Sequence, residues 1–216
     1  MKSLREQTDA KIEMGRQANP DFMKGVDEII AEAKALHQGD DALGLGGKAP
    51  GFSLPNLDGK TAALADLLQQ GPVVVTFYRG SWCPYCNLQL KALQDRLDDI
   101  RALGAQLVAI SPQVPDGSMT SDEMQALDFF VLSDQDAKTA AAYGVAWAVP
   151  EFLSEHMRVD RQLDLEVINN GNGHILPIPA TFVIGRDGTV AWRYVDVDYR
   201  TRAEPEDILE ALRTLS

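Results

Sequence analysis

The chain is poor in cysteine, histidine, basic residues and long apolar runs, and each shortage narrows what it can be. Only two cysteines occur in 216 residues, too few for a disulfide-stapled framework. A hydrophobic content of 45% builds a core without one. No apolar segment approaches the roughly 18 residues of a membrane-spanning helix. The opening Met1-Lys2-Ser3-Leu4-Arg5-Glu6-Gln7 lacks the apolar core of a signal peptide, so a reducing, cytoplasmic setting is expected. His37, His156 and His174 lie far apart, and two thiols alone cannot complete a structural zinc site. Neither metal nor cofactor is therefore expected. A solvated surface position suits each histidine, with His174 set apart because it precedes the strand expected beside the thiols. The 20 Lys and Arg against 32 Asp and Glu leave a formal charge of −12. That balance argues against nucleic acid or an anionic membrane as partner and fits plain solubility. Internal repeats and low-complexity tracts are absent.

What is present reads as an arm followed by a domain. Residues 1 to about 38 read as helical, with Asn19-Pro20 as a cap and first turn. Phe22, Val26, Ile29, Ile30, Ala33 and Leu36 recur at helical spacing. This amphipathic arm can pack on its own domain or on the second subunit of a homodimer, and the first is favoured. Glycine-rich Asp40–Gly51 closes it, which gives an arm and linker over 1–46 and a main domain over 47–216.

Within that domain, Phe52–Leu54 and Thr61–Ala63 form a hairpin through Asp58-Gly59. Ala63–Gln70 reads as a short helix and Val73–Tyr78 as a buried strand. Leu90, Leu93, Leu97 and Ile100 mark one long helix stopped at Gly104. Strands follow at Gln106–Ser111 and Phe129–Leu132, with helices around Ser121–Leu127 and over Asp136–Tyr143. Residues 149–175 read as an insertion containing a helix that Pro150 opens. Thr181–Ile184 and Thr189–Val195 pair through Arg186-Asp187-Gly188. A last helix from Glu204-Pro205 is expected to bury Ile208, Leu209, Leu212 and Leu215. The alternation predicts an α/β fold with a central mixed sheet flanked by helices.

Both cysteines fall in Arg79-Gly80-Ser81-Trp82-Cys83-Pro84-Tyr85-Cys86, between a buried strand and a helix. Two thiols at this spacing can close a disulfide within one helical turn, and at such a junction they read as a redox pair. The attacking species is the thiolate, so the site must lower a thiol pKa. A helix N-terminus supplies unpaired N–H groups and partial positive charge. Pro84 suits its first turn, Arg79 is close enough to add a full charge, and Trp82 is placed to shield the sulfurs. Ile178-Pro179, immediately before the strand Ala180–Ile184, reads as a cis-proline edge beside the dithiol where an extended substrate could pair.

Gly47-Lys48-Ala49-Pro50-Gly51-Phe52-Ser53-Leu54-Pro55-Asn56-Leu57-Asp58-Gly59-Lys60 resembles the opening of peroxiredoxins of the alkyl hydroperoxide reductase and thiol-specific antioxidant type. Ala141-Ala142-Tyr143-Gly144-Val145 and Ala180-Thr181-Phe182-Val183-Ile184-Gly185-Arg186-Asp187-Gly188 are similar to later landmarks of that family. The resemblance covers roughly Gly47 to Val197. It implies a thioredoxin-like fold and an antioxidant, thiol-dependent peroxidase. In this register the peroxidatic position falls on Cys86. The family's proline, threonine and arginine positions carry Arg79, Cys83 and Pro179, so only the cysteine survives, and Arg79 is the candidate substitute for the lost charge.

The same residues resemble thioredoxin and glutaredoxin in Trp82-Cys83-x-x-Cys86 and Pro179, with Pro84-Tyr85 the glutaredoxin dipeptide. That register makes Cys83 the more exposed attacking thiol and Cys86 the resolving one, although the buried acid of thioredoxins is missing from Val73–Phe77. The peroxidase reading has Cys86 oxidised by a peroxide, Cys83 condensing with it, and a thiol reductant such as the thioredoxin or glutathione system restoring the pair. The alternatives are a disulfide reductase with Cys83 as nucleophile, and a redox-sensing interaction module without turnover.

Overall fold

The computed structural model describes residues 2–56, 58–115 and 127–215. The arm is a helical hairpin, α1 (Leu4–Ala18) and α2 (Pro20–Ala35). Ser3 and Glu6 form a capping box on α1, and the Asn19 side chain accepts the Phe22 N–H to start α2. After the linker come a short hairpin, β1 (Ser53–Pro55) and β2 (Thr61–Ala63), then α3 (Leu64–Gln70) and β3 (Val73–Phe77). Next are α4 (Pro84–Asp95), α5 (Leu97–Ala102), β4 (Gln106–Ser111) and β5 (Phe130–Ser133). Then follow α6 (Lys138–Ala142), β6 (Ala146–Ala148), α7 (Glu151–Asp160), α8 (Leu165–Ile168) and β7 (Ile175–Pro177). Strands β8 (Ala180–Ile184) and β9 (Val190–Val195) and helix α9 (Pro205–Arg213) complete the chain. The helix expected around Ser121–Leu127 lies, but for Leu127, outside the described residues.

The central sheet runs β5-β4-β3-β8-β9. Strand β3 is parallel to β4 and antiparallel to β8, so the sheet is mixed and β3 sits at its middle. Every residue of β3 is buried, which is why it reads as an unbroken apolar run. Its side chains alternate between two layers. Val73, Val75 and Phe77 join a cluster that includes Tyr143 and Phe182, with Phe77 and Tyr143 5.1 Å apart between ring centres. Val74 faces the other layer with Leu93, Leu97 and Ile100 of α4 and α5 and with Ile208, Leu209 and Leu212 of α9.

Two expectations are corrected here. The single helix expected through Leu90 to Ile100 is two, α4 and α5, meeting at Arg96. There the Arg96 N–H turns to the Leu93 carbonyl, and its guanidinium is held by Asp99 and Glu206 at 2.6 and 2.9 Å. Leu215 is exposed rather than buried. Helix α9 ends at Arg213 and Thr214 Oγ1 caps the Ala211 carbonyl, so Leu215 falls off the buried face. No described helix is long and apolar enough to cross a membrane.

The arm and α7 lie together over one end of the sheet. Phe22 of α2 stacks on His156 and Phe152 of α7, with ring centres 3.7 and 5.7 Å apart. Gly25 makes the approach possible, since a Cβ there would sit 2.5 Å from the Phe152 ring. Both elements thus cover the point where β3 runs into α4.

Candidate active site

Strand β3 delivers the chain to a pinned turn. Ser81 N–H and Oγ both donate to Gln113 Oε1, at 2.8 and 3.0 Å, and Asn87 Nδ2 donates to the Ser81 carbonyl at 2.8 Å. Gly80 has φ +153°, and a Cβ there would lie 2.3 Å from Trp82 Nε1, so glycine lets Trp82 lie flat over the turn. Cys83 is the N-cap of α4 and Pro84 its first residue. That places Cys86 in the first turn, where backbone N–H groups lack helical partners. One turn on, Gln89 Nε2 donates to Thr76 Oγ1 at 3.0 Å, and Thr76 Oγ1 lies 3.0 Å from Thr181 Oγ1. This buried polar knot ties α4 to β3 and β8.

Both sulfurs are buried, Cys83 at 1% and Cys86 at 0% exposure, and they are hydrogen-bonded to each other. Arg202 Nη2 donates to Cys86 Sγ at 3.0 Å, and the Arg79 backbone N–H donates to the same sulfur. Arg79's own guanidinium lies 4.1 Å from the centre of the Tyr199 ring and 5.1 Å from that of Trp82. Arg79 and Arg202 are each buried, and neither pairs with a carboxylate among the described residues. Burying a cation that way is costly unless an anion lies nearby, and the Cys86 sulfur is the group placed to be that anion.

The two thiols accordingly diverge. Burial opposes charge on Cys86, but the Cys83 hydrogen bond, the Arg202 charge, the Arg79 N–H and the Arg79 charge outweigh it and hold the pKa well below the ordinary thiol value. Burial pushes Cys83 up, and its hydrogen bond to Cys86 and the charge there push the same way. The arrangement favours the thiolate on Cys86 and the protonated thiol on Cys83.

Arg202 sits on the segment between β9 and α9, and that segment is clamped to the arm. Buried Arg200 bridges Asp198 at 2.8 Å and Asp27 of α2 at 2.7 Å. The Glu204 carboxylate accepts the Leu4 and Arg5 N–H groups at the start of α1, at 3.2 and 2.6 Å. A cavity of about 540 Å³ opens beside the dithiol. Its floor includes Cys83, Arg79 and Trp82, and its walls come from α1, α2 and α7.

The AhpC/TSA family profile matches residues 45–193. The chain belongs to the AhpC/TSA family. Among its relatives, "Putative peroxiredoxin Rv2521" of Mycobacterium tuberculosis is 38% identical over 99 residues, 46% of this chain and 62% of that protein. This chain therefore spans less than two thirds of that relative's length. Peroxiredoxin Bcp of Escherichia coli is 34% identical over 113 residues, 52% of this chain and 71% of that one. The crystal structure of peroxidoxin BcpB from M. tuberculosis superposes with a TM-score of 0.62 at 24% identity, covering 81% of this chain and 99% of the other. A mutant of peroxiredoxin 6 from Arenicola marina gives 0.63 at 18%, covering 80% and 73%. The fold is thus the thioredoxin-like α/β fold shared with these solved structures.

The arginine position that falls on Pro179 is indeed empty of charge, but a guanidinium reaches Cys86 from Arg202, beyond the matched residues. Tyr199, which carries Arg79 on its ring, was missed as well. Pro179 and Ile178 also need correcting. Their peptide bond is trans, both residues are buried, and the Ile178 N–H is spent on the Val145 carbonyl at 2.7 Å. That N–H is therefore not free to pair with an extended substrate. Cys83 is buried at 1% exposure, almost as deeply as Cys86 at 0%, so it is not the exposed thiol of the thioredoxin-like register, although it lines the cavity and Cys86 does not. His174 pairs with Glu166 at 3.4 Å, and it is His156 instead that lines the cavity. Trp82, Pro84 and Tyr85 line it too.

Proposed function

We propose that this protein is an antioxidant thiol-dependent peroxidase in which Cys86 attacks a hydroperoxide and Cys83 resolves the product. The observation that carries this reading is the Arg202 guanidinium 3.0 Å from a buried Cys86 sulfur. It stabilises the attacking thiolate, and its remaining N–H capacity can meet the peroxide oxygen on which charge develops: Arg202 Nε is buried without a partner. The Cys86 thiolate attacks one oxygen of ROOH and the O–O bond breaks. The departing alkoxide takes a proton and leaves as ROH, and Cys86 becomes a sulfenic acid. The Cys83 thiol then condenses with it, water leaves, and the Cys83–Cys86 disulfide forms. Two equivalents of a thiol reductant return the pair to the dithiol.

The disulfide-reductase reading needs Cys83 as the nucleophile, and a thiol whose pKa is raised is the poorer one at neutral pH. The sensor reading needs no arginine on the sulfur. Both are weaker for those reasons. The test measures the rate of hydrogen peroxide consumption by the reduced chain, by Cys83→Ser and by Cys86→Ser. Retained fast reaction in Cys83→Ser and its loss in Cys86→Ser support the assignment. A Cys83→Ser protein no faster than a free thiol sinks it.

A further inference from the structure

We propose that the cavity beside Cys83 is the docking site of the reductant, and that this reductant is a small carboxylate-bearing thiol of tripeptide size rather than a protein dithiol. The inference rests on the dithiol cycle proposed above.

Access is the first argument. Cys83 lines the cavity and Cys86 does not, so a thiol entering by this route meets Cys83. Size is the second. About 540 Å³ falls within the roughly 300–1,000 Å³ of small-molecule sites. A folded partner needs on the order of 800 Å² of surface on each side. It would have to lift the arm and α7, which are locked together through Phe22, Phe152 and His156, to bring its sulfur to Cys83. Charge is the third argument. In a chain of net charge −12, the lining contains Lys11, Arg79 and Arg161 and neither Asp nor Glu. Lys11 and Arg161 make no ion pair among the described residues, and Arg79 Nε is buried without a hydrogen-bond partner. Carboxylates are the groups those cations are free to take.

The chemistry follows the two pKa directions. An incoming thiolate attacks Cys83 Sγ, the Cys83–Cys86 bond breaks, and Cys86 departs as the thiolate that Arg202 holds. Of the two possible leaving groups, the one with the lower pKa departs faster. A second thiolate attacks the small-molecule sulfur of the mixed disulfide and releases the symmetric disulfide. Cys83 then takes up a proton. One protein disulfide and two RSH thus yield RSSR, the reduced pair with a Cys83 thiol and a Cys86 thiolate, and one proton released to solvent.

The test uses the full chain oxidised by diamide, which forms the disulfide without peroxide. Its reduction is followed by tryptophan fluorescence with glutathione, glutathione diethyl ester, dithiothreitol, and a bacterial thioredoxin with its reductase. Glutathione should outpace its ester by about tenfold, the scale of two partly screened ion pairs. In Lys11→Ala/Arg161→Ala the ratio of the glutathione rate to the ester rate should fall to near unity. A wild-type ratio near unity, a ratio that survives the double substitution, or a thioredoxin faster than glutathione at equal concentration overturns the proposal. Slow peroxide consumption together with selective reduction by glutathione would remove the peroxidase reading and support this site.

Discussion

Replacing Arg202 by methionine removes the guanidinium and keeps much of the side-chain volume, so it isolates the charge on Cys86. The donor nitrogen is 3.0 Å from the sulfur. Unit charges roughly 4 Å apart at an effective dielectric of about 20 interact by about 4 kcal/mol. Guanidinium charge is spread over several atoms and Arg79 remains in place, so about half of that is expected to survive as a net effect. With about 1.4 kcal/mol per pKa unit, the Cys86 pKa should rise by about 1.5 units. The sign is upward because the lost group favours the thiolate. The assay is the ultraviolet thiolate absorbance of the reduced protein across pH, together with the rate of peroxide consumption. That rate should fall in acid for the wild type and at a higher pH in the variant. Loss of a donor to the developing oxyanion adds a drop on the order of 10² in rate at pH values where both proteins are ionised. Arg202→Lys restores the charge without the planar fork and should recover the titration more fully than the rate. An unshifted thiolate titration with unchanged peroxide kinetics in Arg202→Met would refute the reasoning.

The pH dependence of stability follows from the same pair. Cys86 has a folded pKa below the ordinary thiol value of about 8.5, so its contribution is complete above that value and lost as pH falls through the lowered pKa. Cys83, raised, stabilises below the ordinary value and loses its contribution as pH climbs through its own pKa. The melting temperature of the reduced wild type minus that of reduced Cys86→Ser should therefore shrink on acidification from pH 8, as scanning calorimetry would record. Thr76→Val strips the Gln89 amide of its 3.0 Å acceptor. It should cost about 1–3 kcal/mol, and the thermal midpoint should fall by several degrees, whereas an unchanged midpoint would mean the buried knot contributes nothing net. Gly80→Ala puts a Cβ 2.3 Å from Trp82 Nε1 at a φ of +153°. It should cost about 1–3 kcal/mol and shift Trp82 fluorescence, both seen in a denaturant titration.

The dithiol and its frame were legible in the sequence because their signals are local. Val73–Phe77 is a continuous apolar run, and Pro84 marks the first turn of the helix. The CxxC spacing declares its own chemistry. Arg202 was not legible. It lies in Asp196-Val197-Asp198-Tyr199-Arg200-Thr201-Arg202-Ala203-Glu204, a charged stretch between the last strand and the last helix in which nothing local marks Arg202 for burial. What buries it is Arg200 reaching Asp27 and Glu204 reaching the start of α1, contacts spanning most of the chain. The cavity escaped notice for a similar reason, since its walls come from the arm and from residues 149–175, which share no periodicity. The split at Arg96 was hidden because Leu93, Leu97 and Ile100 keep one buried face across it.

The two buried arginines also set the electrical balance of the cycle. In the dithiol state their charge is answered by the Cys86 thiolate, and disulfide formation removes that anion while leaving both guanidinium groups in place. The oxidised form therefore carries an electrostatic penalty that the reduced form escapes, and for this two-electron couple each 1.4 kcal/mol raises the potential by about 30 mV. The disulfide should be an oxidising one, reduced readily even by weak thiols, and inorganic anions should bind the oxidised chain in preference to the reduced one. Arg79 and Arg202 would then govern how easily the protein is recharged as much as how fast it discharges.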